Sequence, residues 1–238
     1  MPIHGKATGI LMGGYDLTSM LNSISTPQSL GVNEVTPFGS TAKTYIAGLA
    51  DATVSMSGFF EGDATATEEL LDAVSDSAEA IIVSYGRALV AGQDVKFSNV
   101  IRSAFEVSSP VGDAVSISGA AQANGGLVTG KLLAALQTIS SSPTNGASQD
   151  GAASTSAGGK AVLQVTTNTR NGDVTVKVQH SADNSTWADL ATFTAVATTV
   201  VTSEVIVLPS TINRYTRVLV TLAGSTGSAI ITVALSRG

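Results

Sequence analysis

The sequence predicts a mainly β protein built from two antiparallel β-domains, and three observations support this. Hydrophobic residues make up 43% of the chain and charged residues 13%, which is typical of folded, β-rich proteins. Short runs in which apolar and polar residues alternate recur along the chain, as in half-buried strands. At 238 residues the chain also exceeds the commonest domain size of roughly 100 to 150 residues, so two domains are favoured.

The first half predicts an antiparallel sandwich or barrel with one flanking α-helix. Residues 53–60 alternate with a period of two, and Gly58 in this predicted strand is a candidate bulge or close-approach point. The Thr65-Ala66-Thr67-Glu68 motif fits a capping box and begins a predicted amphipathic helix. Residues 80–85, 94–107 and 114–123 are three further predicted strands.

Residues 22–42 predict a long irregular loop, because Pro27, Gly31, Pro37 and Gly39 interrupt them. Loops of this length are usually functional or disordered. In water, each large apolar side chain on such an arm forgoes roughly 1.5 to 3 kcal/mol of burial free energy. A neighbouring subunit that buries them is one interpretation, and a loop folded back over its own domain is the other.

The second half predicts a compact antiparallel β-sandwich after a flexible linker. Residues 137–159 are rich in Ser, Thr, Gly and Ala without apolar periodicity, so we predict a linker between domains 1–136 and 160–238. Six strand-like runs follow, at residues 160–168, 173–181, 187–193, 198–208, 213–222 and 228–235. Asn171-Gly172 predicts a hairpin turn between the first two of these runs.

Composition argues against several functional classes. The chain has no cysteine, which excludes disulfides, thiolate zinc sites and a cysteine nucleophile. Its two histidines, His4 and His180, lie far apart without a carboxylate cluster, so we expect no metal centre and no cofactor. The sequence also lacks a Gly-x-Ser-x-Gly elbow, a Rossmann or P-loop pattern, a His-Glu-x-x-His motif and a candidate triad. We therefore expect no enzymatic activity.

Charge and targeting signals also narrow the expected partners and location. Residues 1–136 carry six basic against thirteen acidic residues, a net charge of −7, and residues 137–238 carry six against five, a net charge of +1. An acidic first half is either a solubilising surface or a wall past which DNA slides without binding. The first 14 residues lack the features of a signal peptide, and no run of 18 apolar residues occurs. We expect synthesis in the cytoplasm and no membrane partner.

The stretch from Tyr15 to Asp63 resembles one family in the order and spacing of several blocks. These are Tyr15-Asp16-Leu17 with Leu21-Asn22-Ser23, then Val35-Thr36-Pro37-Phe38-Gly39-Ser40, then Lys43-Thr44-Tyr45-Ile46-Ala47-Gly48-Leu49, and finally residues 51–63. They are similar to the major tail protein, or tail tube protein, of long-tailed bacteriophages. The resemblance covers about the first 136 residues. Residues 160–238 form a separate module, predicted to be a virion accessory or decoration domain.

The resemblance implies a structural virion protein that self-assembles into stacked, hexameric rings around a channel for DNA ejection. A hairpin from each of six subunits would join a continuous β-barrel, which satisfies exposed strand edges. The implied partners are copies of the chain itself and the tape measure, tail terminator and distal tail proteins, with DNA passing through the lumen unbound. The implied location is the virion tail, assembled in the bacterial host cytoplasm.

Three sets of candidate site residues follow. Inter-subunit contacts are expected from apolar residues of the irregular arm: Leu30, Val32, Val35, Phe38, Tyr45 and Ile46. Glu106 and Asp113, which flank the turn at Ser109-Pro110, are candidates for the acidic lumen. Trp187, the only tryptophan, either plugs the core of the second sandwich or stacks on a sugar. Asp183, Asn184 and Asp189 would then bind the sugar hydroxyls.

Two alternative functions remain open. The second sandwich resembles virion accessory modules and some carbohydrate-binding sandwiches, so the chain is alternatively a binding module for host surface glycans. The other alternative is a capsid decoration or head-to-tail connector protein.

Overall fold

The computed structural model describes residues 3–60 and 78–238, and in these the chain is almost entirely β, which confirms the predicted fold class. A short 3-10 turn spans Gly5–Ala7. The strands are β1 (Gly9–Met12), β2 (Tyr15–Asp16), β3 (Leu21–Ser25), β4 (Gln28–Glu34), β5 (Tyr45–Phe59), β6 (Glu79–Ser84), β7 (Asp94–Ser108), β8 (Ser116–Ile139), β9 (Thr144–Asn145), β10 (Gln149–Asp150), β11 (Gly159–Asn168), β12 (Val174–Ser181), β13 (Ala188–Thr192), β14 (Thr202–Leu208), β15 (Tyr215–Leu222) and β16 (Ala229–Arg237). The predicted helix from Thr65 lies outside the described residues.

The chain divides into two compact units. Unit 1 comprises Met1–Ser19, Glu79–Asn99 and Val128–Gly238, and unit 2 comprises Met20–Ala78 and Val100–Leu127. The predicted division into residues 1–136 and 160–238 is therefore wrong. Its boundary falls inside β8, whose residues 131–139 pair with β16 at the end of the chain. A strand that continues through a domain boundary leaves no composition signal, so the sequence pattern does not reveal it.

Unit 1 is a sandwich of two antiparallel sheets. One sheet has the order β14-β11-β16-β8-β7-β6-β1-β2, and the other has the order β10-β15-β12-β13, with β9 on β15. Alternating valines of β12 and β15, such as Val176 and Val218, face Leu163 and Ile231 across the core. Val162 and Ala234, on the opposite face of the first sheet, join a second core with Phe97. Burial on both faces explains the continuous apolar runs of β6 and β11.

The prediction that residues 137–159 form a flexible linker is also wrong, because much of this segment pairs as strands. Residues 137–139 end β8 with Ile139 buried, and β9 and β10 both pair with β15. Asp150 accepts two hydrogen bonds from the guanidinium of Arg214, at 2.7 and 2.8 Å. Backbone pairing and polar side chains hold this segment, so it needs no apolar periodicity.

The predicted hairpin at Asn171-Gly172 is wrong as well, although all six strands around it form. β11 pairs with β14 and β16, whereas β12 pairs with β13 and β15, so the turn crosses from one sheet to the other. Asn171 Oδ1 accepts hydrogen bonds from the amides of Ser225 and Thr226. The guanidinium of Arg170 donates to the carbonyl oxygens of residues 223, 224 and 227. These contacts form a corner between the sheets.

Unit 2 is built around β5 and the first half of β8, which pair antiparallel from Thr53↔Gln122 to Phe59↔Ser116. On one face of this pair, Val54, Met56, Ile117 and Ala121 are buried, as the predicted alternation requires. Gly58 is a close-approach point, as predicted. A Cβ there would lie 2.0 Å from the carbonyl oxygen of Met20, at a register shift between β3 and β5.

Candidate assembly surface

The predicted irregular loop at residues 22–42 is instead mostly strand. β3 and β4 both pair with β5, and the β4–β5 register runs from Gln28↔Ala52 to Glu34↔Tyr45. We call residues 28–52 the β4–β5 arm. All seven residues of β4 are exposed, so the strand lacks the alternation of buried and exposed residues that marks a half-buried strand. The prediction failed for this reason, because a strand exposed on both faces has no periodic signal.

All six predicted contact residues lie on the β4–β5 arm and are exposed. Phe38 is fully exposed, and Val32 is 65% exposed. Leu49, which is not among the predicted contact residues, is 91% exposed on the same arm. Such a concentration of exposed apolar side chains is characteristic of an interaction surface. The signal that identifies Leu49 is the β4–β5 pairing, which leaves both faces of this part of β5 uncovered.

The arm is ordered without burying these apolar groups. The amide of Val35 donates to the carbonyl oxygen of Thr44 at 2.9 Å, which closes the end of the hairpin. Glu34 accepts from Lys43 Nζ at 2.8 Å and from Thr36 Oγ1 at 3.0 Å. Because the polar contacts fix the hairpin, its exposed apolar residues are held in place and available to a partner.

Within the described residues, the outer strand β4 of unit 2 offers an edge to such a partner. Within this unit the strand order is β4 with β3, then β5, β8 and β7, so β4 lies at one side. In the described part of the chain, β4 pairs only with β5. An edge strand with free amides and carbonyls is a template for pairing with another chain. The arm thus combines a free edge with an apolar surface.

Apart from Phe59, the paired positions on the face of β5 and β8 opposite the buried residues are polar or small, and none is a lysine or arginine. Paired positions place Thr53 beside Gln122, Ser55 beside Ala120 and Ser57 beside Ser118 on this face. Ser55, Ser118 and Gln122 are exposed. Gln122 Nε2 on this face donates a hydrogen bond to the carboxylate of Asp51. This uncharged hydroxyl face offers no cationic contact to a phosphate.

The two lumen candidates both lie at the β7–β8 hairpin. Glu106 is exposed near the end of β7, and Asp113 is exposed in the loop at residues 109–115. Asp113 Oδ1 accepts a hydrogen bond from the amide of Ala114 at 2.7 Å. The structure brings the two acidic residues to one hairpin, and their orientation toward a channel stays a prediction.

The candidate glycan residues are largely engaged within the chain. Asp183 accepts hydrogen bonds from the amides of Ser185 and Thr186 and from Ser181 Oγ, and these lower the pKa of its carboxyl well below the usual range. Asn184 has a φ of 58° and accepts from Ser148 Oγ. Asp183 and Asn184 therefore shape the β12–β13 turn, a role that Asx residues commonly have.

Trp187 lies at the surface of unit 1, half-buried, and Phe193 is the aromatic residue in the core cluster. The guanidinium of Arg217 stacks 4.2 Å from the centroid of the Trp187 ring. Arg217 also donates to Gln179, which donates in turn to Asp189. Asp189 accepts a further hydrogen bond from Lys177 Nζ at 2.6 Å, and this contact is the main reason that its pKa is lowered. The ring is thus covered on one face by a cation.

In the described residues, no group of three or more histidines, aspartates or glutamates is arranged to hold a metal ion. None of the described segments forms a helix of the length and apolar character needed to cross a membrane.

No family model matches this chain, and no curated protein matches it. Among solved structures, it is similar to a chain in the virion of a native gene transfer agent particle, with 16% identity, 54% of this chain and 98% of that chain covered, and a TM-score of 0.43. A chain of the tube-terminating cap of the anti-feeding prophage gives 12% identity, 55% and 92% coverage, and a TM-score of 0.44. The Dit protein of phage SPP1 gives 10% identity, 96% and 97% coverage, and a TM-score of 0.37. Likenesses at these scores establish neither family nor function for this chain.

Proposed function

We propose that this chain is a structural subunit of a bacteriophage tail, the tail tube protein, which assembles with copies of itself into rings that stack around a channel. The observation that carries the proposal is the β4–β5 arm, a hairpin that is ordered, exposed on both faces and rich in uncovered apolar residues. The resemblance of residues 15–63 to tail tube proteins supports the same function. A purely structural role requires no active site, so the proposal includes no catalysis.

Strand direction supports a closed ring. β4 and β8 each run antiparallel to β5. β7 adjoins β8 in the sheet, and the short loop at residues 109–115 joins them, so they also run antiparallel. When β7 of one copy lies beside β4 of the next, these two strands are antiparallel as well. The pattern then continues around a ring with a barrel of β-strands, which leaves no free edge.

Burial of the arm supplies the driving force for such a ring. Val32, Tyr45 and Ile46 are each more than half exposed in the single chain. Covering a large apolar side chain contributes roughly 1.5 to 3 kcal/mol. In a heterologous interface that closes on itself, every copy buries its own arm. A hexamer is the ring size that the resemblance implies.

The channel of this ring is the proposed path of DNA, with the hydroxyl face of β5 and β8 or the acidic residues Glu106 and Asp113 as its lining. Neither surface contains the lysines and arginines whose phosphate contacts release counterions and hold nucleic acid. DNA would therefore pass without specific binding. The remaining proposed partners are the proteins at the two ends of the tail and the tape measure inside it, and the proposed location is the virion.

The test compares two matched valines. Val32 on the arm and Val207 in unit 1 are each 65% exposed and lie in strands, so Val32→Lys and Val207→Lys carry the same change at equal exposure. We expect the wild type and Val207→Lys to assemble, and Val32→Lys to remain monomeric with an unchanged far-ultraviolet circular dichroism spectrum. Sedimentation velocity measures the assembly state. If Val32→Lys assembles as the wild type does, the arm is not the interface.

A further inference from the structure

The two hairpin tips of unit 2 share one sequence motif and one backbone conformation. Pro37-Phe38-Gly39 forms the tip between β4 and β5, and Pro110-Val111-Gly112 forms the tip between β7 and β8. The amide three residues after each proline approaches the proline carbonyl oxygen, at 3.3 Å for Ser40 and 3.5 Å for Asp113. Gly39 has a φ of 88° and Gly112 a φ of 92°, which the third residue of a type II turn requires.

Each tip presents one fully exposed apolar side chain. Phe38 and Val111 are the most exposed large hydrophobic residues among those described. A Cβ placed on Gly39 or Gly112 would meet nothing within 4 Å, so both tips stand clear of the rest of the described chain. The turn conformation requires the glycine but does not require an apolar residue at the position before it. The turn itself therefore does not account for Phe38 and Val111.

The two tips project from opposite ends of the same sheet. β5 begins at the first tip, and β8 begins at the second. Since β5 and β8 are antiparallel, the first tip lies beyond the Thr53↔Gln122 end of their ladder and the second lies beyond the Phe59↔Ser116 end. The edges of β4 and β7 face sideways, whereas the tips extend along the strand direction. Contacts at the tips are therefore axial rather than lateral.

We propose that Phe38 and Val111 are the axial contacts of the assembly, each bound by a further copy of this chain in the next ring. The inference rests on the proposed function, in which the edges of β4 and β7 are already used within a ring. In a head-to-tail stack, the Val111 end of one copy meets the Phe38 end of the next, because heterologous contacts repeat one pair of unlike surfaces.

A groove at the receiving end fits this contact. It has a volume of about 250 Å³ and lies on the Phe38 side of the Thr53↔Gln122 pair, where Leu30, Ala50 and Leu127 supply apolar lining. A valine side chain is small enough to enter such a groove. We assign this groove as the receptor for Val111 of the adjacent copy. Phe38 covers the neighbouring surface of that copy in the same contact.

Polar substitution of the tips tests the axial role. Val111→Ser and Phe38→Ser change side chains that are fully exposed in the single chain, so folding should be retained. We expect single rings in place of stacked rings in negative-stain electron microscopy. Six such contacts join two hexameric rings, so the protein concentration needed for stacking should rise by at least roughly 10- to 100-fold, the loss expected from a single buried apolar side chain. Wild-type stacking by both variants, or their dissociation to monomers, would overturn the axial assignment.

Cysteine crosslinking tests the groove directly, because the natural chain contains no cysteine. Val111→Cys combined with Ala50→Cys should give a ladder of disulfide-linked chains when assembled protein is oxidised, and each single variant should give no more than dimers. If the double variant assembles but gives no ladder of linked chains on oxidation, the groove is not the receptor for Val111. If the wild type forms no rings at all, the proposed function fails. If the wild type forms tubes and both tip variants form them equally well, only the axial assignment is refuted.

Discussion

Gly58 provides the sharpest test of how unit 2 is built. A Cβ on Gly58 would lie 2.0 Å from the carbonyl oxygen of Met20 and 2.8 Å from the Cα of Leu21. Both are backbone atoms, of Met20 just before β3 and of Leu21 at its start, so no side-chain rotation relieves the clash. A Gly58→Ala substitution should therefore push β3 away by about 1 Å, since Cβ contacts below 3.0 Å essentially never occur.

The expected cost follows from two contributions. Overpacking costs about 1 to 3 kcal/mol, and the hydrogen bond from the amide of Phe59 to Met20, 2.9 Å long, is weakened at a cost of about 0.5 to 1.5 kcal/mol. Alanine restricts the unfolded chain and returns about 0.4 to 1 kcal/mol. We expect a net loss of about 0.5 to 4 kcal/mol in the free energy of unfolding of unit 2.

Gly119 is the matched control. It lies on β8 directly opposite Met56, and its Cβ would meet neighbours at 3.4 to 3.7 Å, which is ordinary contact. Gly119→Ala should be neutral or stabilise by up to about 1 kcal/mol. Urea unfolding followed by circular dichroism measures both variants, at a concentration below assembly. Hydrogen exchange at the Phe59 amide should be faster in Gly58→Ala only. Equal stability of the two variants would refute the close approach of β3.

Three further outcomes are expected. Ser118→Lys should still assemble, but the assembled protein should retain duplex DNA on a filter at low salt, because a lysine on the hydroxyl face contacts phosphates. Retention equal to that of the wild type would exclude this face from the channel. Burial lowers the pKa of His180 below 6.5, so the unfolded chain binds the proton more readily and stability should fall as pH drops below 6.5. His180→Gln should remove this part of the pH dependence of the urea midpoint, and an unchanged dependence would contradict it. Arg217→Ala should shift the fluorescence of Trp187, the only tryptophan, to longer wavelength, whereas Arg217→Lys should shift it less, and no shift in either would exclude the stack.

The sequence predicted the strands that are buried on one face and missed the features that depend on pairing across the chain. Val54 and Met56 on β5, and Val176 and Val178 on β12, are buried at alternate positions, so their period of two was visible. Residues 22–42, which include β4, were predicted to be a loop, because exposure on both faces removes this period. Its apolar residues were nevertheless identified as a contact surface, which stays a prediction.

The sequence could not predict the division into units, because long-range strand pairing determines it. β8 continues from unit 2 into unit 1 without a break in its backbone, and its second half pairs with β16. The two interpretations of Trp187 also depended on tertiary contacts. Arg217 follows Trp187 by 30 residues in the chain. The pairing of β12 with β15 places Arg217 opposite Gln179, to which it donates a hydrogen bond, and so brings it near the ring.

Electron microscopy of the purified 238-residue chain tests the central claim most directly. The account predicts rings with a closed wall of strands, and stacks of these rings at higher concentration, with the β4–β5 arm of each copy buried against its neighbour. A protein that remains monomeric at all concentrations, with the arm as accessible to protease and solvent as in the single chain, would contradict it.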